Sequence, residues 1–105
     1  MIAKTISQPY YAVIFTSFRN KGDDGYGDMG DRMMKLAQKQ KGFLGAESVR
    51  DEMGITVSYW RDLDAIKKWK ENSEHQIAQE IGKKKWYASF KVRVALVERD
   101  YEFGV

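Results

Sequence analysis

Residues 43–60 read FLGAESVRDEMGITVSYW, two short runs of apolar and β-branched residues on either side of the polar stretch Asp51-Glu52-Met53-Gly54. Runs of this composition, joined by a few polar residues and a glycine, predict a β-hairpin. Antiparallel strands can be joined by a tight turn, whereas parallel neighbours need a crossover, usually a helix. This region is therefore no half of a doubly wound parallel sheet, and the rest of the chain has to be arranged about an antiparallel pair.

Upstream of the hairpin, Tyr26, Met29, Met33, Leu36, Ala37 and Gln40 recur at helical spacing. Asp28 and Asp31 near the start and Lys35 and Lys39 near the end suit the helix dipole, and Gly42 is placed to end the helix. Before it, YYAVIFTSF (Tyr10 to Phe18) is a strand with two apolar faces: Tyr10, Ala12, Ile14 and Phe18 on one, Tyr11, Val13 and Phe15 on the other. Downstream, Asp62 caps a second helix in which Leu63, Ile66 and Trp69 share a face. Ser73 and Gln76 have the spacing of a capping box, which predicts a break and a further short helix ending at Gly82. WYASFKVRVALVERDYEF alternates, with Phe90, Val92, Val94 and Leu96 to one side and Ser89, Lys91 and Arg93 to the other, and predicts a long closing strand. The order is βαββαβ, the plan of an α+β, ferredoxin-like sandwich with an antiparallel sheet, forming one domain over residues 1–105.

One motif competes with this plan. Gly25, Gly27 and Gly30 in GYGDMG have the G-x-G-x-x-G spacing of a dinucleotide site, and Asp51 lies near the distance of a ribose-binding acid. In such a site the first glycine stands at the end of the strand, so that the following helix points its N-terminus at the phosphates. Here RNKGDD intervenes and brings two aspartates to where the pyrophosphate would sit. The match reads as a loop leading into a helix, with Gly30 allowing close packing. The spaced ligands and terminal glutamate of a calcium loop are missing as well.

Composition narrows the function classes. There is no cysteine, which removes disulfides, thiolate catalysis and cysteine zinc sites and permits a reducing compartment. A net charge of +3 from 18 basic and 15 acidic residues is a small imbalance and not a nucleic-acid stripe. MIAKTISQPYY has no apolar signal region, and no apolar run approaches the ~20 residues of a membrane span, so the reading is a cytoplasmic protein with no membrane partner. His75 is the single histidine, which leaves no familiar His-rich metal site, and no metal is expected. It is the best available general base, because an imidazole titrates near neutrality; the alternative is a solvated position on a helix end. Trp60, Trp69 and Trp86, with Tyr59 and Tyr87, are either core or the walls of a slot for a flat apolar ligand. The lysines 83–85 read as a solvated helix end.

KGFLGAESVRD leading into ITVSYWRDLDAIKKWKENSEHQIAQ, with Gly42-Phe43 at the start of the second strand, then Trp60, an acidic-aliphatic helix start and Trp69, resembles the antibiotic biosynthesis monooxygenase domain family, and an uncharacterised bacterial branch of it in particular. The resemblance covers nearly the whole chain. It implies a dimeric α/β barrel and a monooxygenase that uses no cofactor, acting on a small aromatic or quinone-type substrate, with Trp60 and Trp69 as ligand-binding walls and His75 as catalytic base. The alternative is a small-ligand-binding or stress-associated protein of the same fold without turnover. The haem-degrading branch has a Trp on the second helix, a His ten residues later and an Asn on the first strand; here Trp69 is matched, but the later position is Gln79 and the first strand is apolar. A homodimer is expected on physical grounds too. The few helices of one chain can cover only one face of a four-stranded sheet, while the first strand is apolar on both, and the closing strand is expected to run past its neighbours toward a partner.

Overall fold

The computed structural model describes residues 2–20, 26–80 and 87–105, with the side chains of 26–29 and 74–80 left out. The elements are β1 (Tyr10–Arg19), α1 (Tyr26–Gln38), β2 (Phe43–Arg50), β3 (Met53–Trp60), α2 (Leu63–Glu80) and β4 (Tyr87–Val97). The strands form a single antiparallel sheet in the order β2-β3-β1-β4. This is the ferredoxin-like α+β arrangement, with the two hydrogen-bonded centre strands, β1 and β3, contributed by different βαβ halves.

The hairpin is tighter than the polar stretch alone indicates. Arg50 pairs with Gly54, so that Met53 and Gly54 belong to β3 and the turn is Asp51-Glu52, closed by a hydrogen bond from the Asp51 amide to the Met53 carbonyl at 3.1 Å. Gly54 sits under the Arg50 guanidinium, which occupies the space a β-carbon would need. In register with β1, β3 runs from Met53 opposite Phe18 to Trp60 opposite Tyr11. Opposite residues of an antiparallel pair share a face. Tyr11, Val13, Phe15 and Ser17 therefore lie on the side of Trp60, Ser58, Thr56 and Gly54, and of Leu96, Val94, Val92 and Phe90 on β4.

The helices pack on that side. Asp62 caps α2, its carboxylate accepting the Ala65 amide at 2.8 Å, and the first turn places Ala65 and Ile66 against Trp60, with Tyr11, Val13, Phe43 and Trp69 around them. Gly42, at φ +93°, lies so close to this turn that a β-carbon would stand 2.8 Å from that of Ala65. Its carbonyl accepts the Arg61 amide at 2.8 Å, tying the end of the α1–β2 connection to the start of α2.

Three expectations are corrected. α2 runs unbroken through Ser73, whose hydroxyl donates to the Lys70 carbonyl one turn back at 3.1 Å, the behaviour of an interior serine and not of a cap. β4 ends at Val97 opposite Tyr10 and does not run past β1, so residues 98–105 are not strand. Gly27 and Gly30 lie inside α1, and a β-carbon on Gly30 would meet nothing within 4 Å, so close packing is not what that glycine provides. Gly25, Gly82, lysines 83–85 and Trp86 lie outside the described residues.

Among the described residues, the other side of the sheet carries no helix. At one end it is covered by the segments flanking the fold: Tyr10 and Ala12 are buried, the Ala3 amide donates to Glu47 at 3.0 Å, and the Tyr10 hydroxyl donates to Asp100 at 2.5 Å. At the other end Phe18, Met53 and Val49 are exposed by 46%, 42% and 69%.

Candidate functional site

The two tryptophans singled out from the sequence come together. Trp60 ends β3 and Trp69 lies on α2; their rings stack at 5.8 Å with an interplanar angle of 27°. Phe43 meets Trp60 edge-on at 5.2 Å, and the Trp60 indole N–H donates to the Ser58 hydroxyl at 2.9 Å. Trp60 is fully buried, whereas Trp69 is only half-buried, so the surface this pair offers to a ligand is that of Trp69. His75 lies on α2 six residues beyond Trp69, and Gln79 follows in the same helix; the side chains of both are outside the described set.

The helix side of the sheet is closed unevenly. At the Trp60 end of β2 and β3 the aromatic cluster seals it, whereas over β1 and β4 the row Phe90, Val92, Val94 and Leu96 remains 41–52% exposed. That row pairs with Ser17, Phe15, Val13 and Tyr11 of β1, which gives an exposed apolar strip about four residues long. One end of it is the Tyr11–Trp60–Trp69 cluster. At the other end Phe15 stacks on Phe90 at 5.4 Å and meets Tyr87 edge-on at 5.4 Å.

Polar groups mark this second end. Ser17 is 1% exposed, the one buried polar residue among those described, and its hydroxyl accepts a hydrogen bond from Arg50 at 2.5 Å. Ser48 and Thr56 share a hydrogen bond at 3.0 Å between β2 and β3 on the same side. Apolar surface with a few convergent polar groups is what a small-molecule site presents to its ligand. Ser17, Arg50 and Gly54 were not singled out from the sequence. The available signal was a serine at an inward position of an otherwise apolar strand, two residues after Phe15.

A different set of ionisable groups occupies the helix-free side. The Tyr59 hydroxyl donates to Glu47 at 2.5 Å, and the Tyr59 and Tyr10 rings meet edge-on at 6.0 Å. Burial, and then the bond to Glu47, push the Tyr59 phenol up to about 12. Glu47 is held below the usual carboxylate range by the hydrogen bonds it accepts from Tyr59 and from the Ala3 amide. Burial and the bond to Asp100 raise Tyr10. These phenols keep their protons at neutral pH, which makes them structural ties and not bases. Among the described residues no cluster of three or more His, Asp or Glu has the geometry to hold a metal ion, and no helix is long and apolar enough to cross a membrane.

Residues 23–95 match the family described as Monooxygenase af470-like. The chain is 53% identical over 104 residues to the uncharacterized protein YqjZ of Bacillus subtilis, an alignment covering 97% of this chain and 91% of that one. Among solved structures it is similar to protein SO0527 from Shewanella oneidensis, with a TM-score of 0.71 at 11% identity, covering 89% of this chain and 95% of that one. It is also similar to SnoaB, a cofactor-independent oxygenase from Streptomyces nogalater, with a TM-score of 0.63 at 9% identity, covering 93% of this chain and all of that one. At these identities the solved structures establish the shared fold.

Proposed function

The chain belongs to the Monooxygenase af470-like family, and we propose that it is a monooxygenase that needs no cofactor and acts on a small aromatic or quinone-type substrate lying along the exposed apolar strip on the helix side of the sheet. The observation that carries this reading is the exposed row Phe90, Val92, Val94 and Leu96 between two aromatic clusters, a surface suited to a flat apolar molecule. The oxygenase activity of a protein of the same fold supports it.

The chemistry asks little of the protein. A phenol-activated methylene loses a proton to a base, the carbanion reacts with O2, and collapse of the peroxide gives a carbonyl and water. One oxygen atom enters the product and the other leaves with the two hydrogens, with O2 as the oxidant. The protein's share is to bind, orient and deprotonate. His75 is assigned the base, Trp69, backed by Trp60, one wall, and Arg50, held by Ser17, the stabilisation of the developing oxyanion. The active unit is proposed to be a homodimer joined through the helix-free side of the sheet, where Phe18, Met53 and Val49 stand exposed.

Oxygen consumption with a panel of anthrones, hydroquinones and naphthols tests the reading. Turnover is expected for at least one ring system, with kcat falling about 100-fold in His75→Ala, the usual scale for loss of a general base. Saturable binding without O2 uptake, in wild type and His75→Ala alike, would overturn the enzyme reading and leave a ligand-binding protein.

A further inference from the structure

Resting on the apolar strip as the substrate site, we infer that Gly54 and Ser17 are positioning residues for Arg50. Together they lay its guanidinium across the sheet at the hairpin end of the strip, and so select an aromatic ligand that carries a negatively charged oxygen at that end.

Three strands contribute one residue each to this arrangement. Arg50 on β2 is opposite Gly54 on β3, and Gly54 is opposite Ser17 on β1, so the three form a row across the helix side of the sheet. Arg50 and Ser17 stand two strand spacings apart, about 9–10 Å between backbones. The Arg50 side chain spans that gap and donates to the Ser17 hydroxyl at 2.5 Å, which it achieves by lying flat over the middle strand. Gly54 opens the way: the Nη2, Cζ and Nε atoms of Arg50 occupy the place of a β-carbon there.

Neither the backbone nor the turn asks for glycine at this position. The φ of Gly54 lies outside the left-handed region, and the turn proper is Asp51-Glu52. Glycine inside a strand weakens it, and often marks the close approach of another group. Here the group is a cation.

Ser17 supplies the other half of the device. At 1% exposure in an otherwise apolar strand, its hydroxyl fixes the far end of a long side chain, so less conformational entropy is lost when a ligand binds. Arg50 itself is exposed, so it is pinned without being sealed off. Ser17 also pairs with Phe90 of β4, which sets the held end of the arginine beside the Phe15–Phe90 stack that ends the strip. A flat ligand on the strip there meets a planar, permanently charged fork, the group best suited to bind a carboxylate through two parallel hydrogen bonds. A carboxylate also imitates the oxyanion assigned to Arg50, which makes it a probe that needs no turnover.

Titration calorimetry on the full chain with 2-naphthoate and its neutral isostere 2-naphthamide tests the inference. The wild type should prefer the naphthoate about 10-fold, the scale of a hydrogen bond to a charged group. Arg50→Gln and Gly54→Ala should each abolish that preference and leave naphthamide affinity unchanged, with Ser17→Ala intermediate. Gly54→Ala should keep the wild-type urea midpoint, because the tip of a flexible side chain yields to the new methyl and not the backbone. Because a guanidinium stays charged, the preference should be flat between about pH 6 and 9. A preference that fades across the imidazole range would make His75 the cation and overturn the inference. So would a preference that survives Gly54→Ala, or an equal loss of both probes in that variant, which is the mark of a merely structural role. Equal binding of the two probes to the wild type overturns the anion preference and leaves the strip standing. Binding of neither at millimolar concentration overturns both.

Discussion

Apolar positions in the two halves of the sheet's helix side meet opposite fates. On β3, Trp60 is fully buried under Ala65 and Ile66; on β4, Val94 and Leu96, in register across β1 with Val13 and Tyr11, remain about half exposed. Alternation assigns a face to each residue in both strands, and it assigns the same one. What separates them is where α2 is anchored: Gly42 admits the first helical turn to within van der Waals reach of the α1–β2 connection, and Asp62 fixes that turn above the β2–β3 half. The difference teaches that an apolar stripe specifies which side of a sheet is dry, but the docking of a helix specifies how much of that side is closed.

Truncation at the centre of the closed half should have the largest effect. Trp60→Ala removes a fully buried ring that touches Phe43 and Trp69, and a loss of about 3–5 kcal/mol is expected in urea unfolding. A loss below about 1 kcal/mol would mean that the closed half is not the principal core, and the contrast with β4 would fail.

A smaller effect is expected on the opposite face, at its covered end. The folded-state pKa of Tyr59 is raised to about 12, so its contribution to stability is complete below the unfolded value of ~10 and is lost as pH rises from there through 12. Glu47 has the opposite sign: its pKa is lowered in the fold, so its contribution is present above the unfolded value and lost as pH falls through the folded one. After screening by solvent the alkaline loss should be on the order of 1 kcal/mol. Comparing urea midpoints of wild type and Tyr59→Phe between pH 9 and 12 isolates it. Equal slopes in the two proteins would show that the tie between Tyr59 and Glu47 contributes nothing to the covered end.

The open strip over β4 should give the smallest change in stability. Val94→Ser, at a residue already 52% exposed, is expected to shift unfolding by less than about 0.5 kcal/mol while weakening binding of an anthrone or naphthol several-fold by fluorescence titration. A cost comparable to that of Trp60→Ala would show that the β4 row is core, and would remove the open strip along with the comparison.

How much of this was legible beforehand follows the range of the interactions. The hairpin, the two-faced first strand, the Asp62 cap and the element order are written in spacings of two to four residues, and they are found in place. Ser73-x-x-Gln76 is equally local and misleads, because a capping pattern inside a helix whose preceding turns are already docked is overridden by the continuing backbone hydrogen bonds. The far end of β4 misleads in the same way: its alternation continues toward Phe103, but pairing stops at Val97, where β1 no longer offers a partner. The joining of Trp60 to Trp69 was legible as a shared aromatic set, though not as a stack with one ring sealed and the other half open.

The sequence by itself determined the fold class and the faces of the first and last strands, because side-chain period and turn chemistry act between near neighbours and survive in any compact arrangement; the family was legible as a resemblance of longer segments. Only the tertiary structure decided that Arg50 reaches Ser17 across 33 positions of sequence, that Tyr10 meets Asp100 across 90, and that α2 closes one half of the sheet and leaves the other. Those contacts depend on strand register and on the Gly42 packing distance, and a one-residue slip in β3 would turn every one of its side chains to the opposite face.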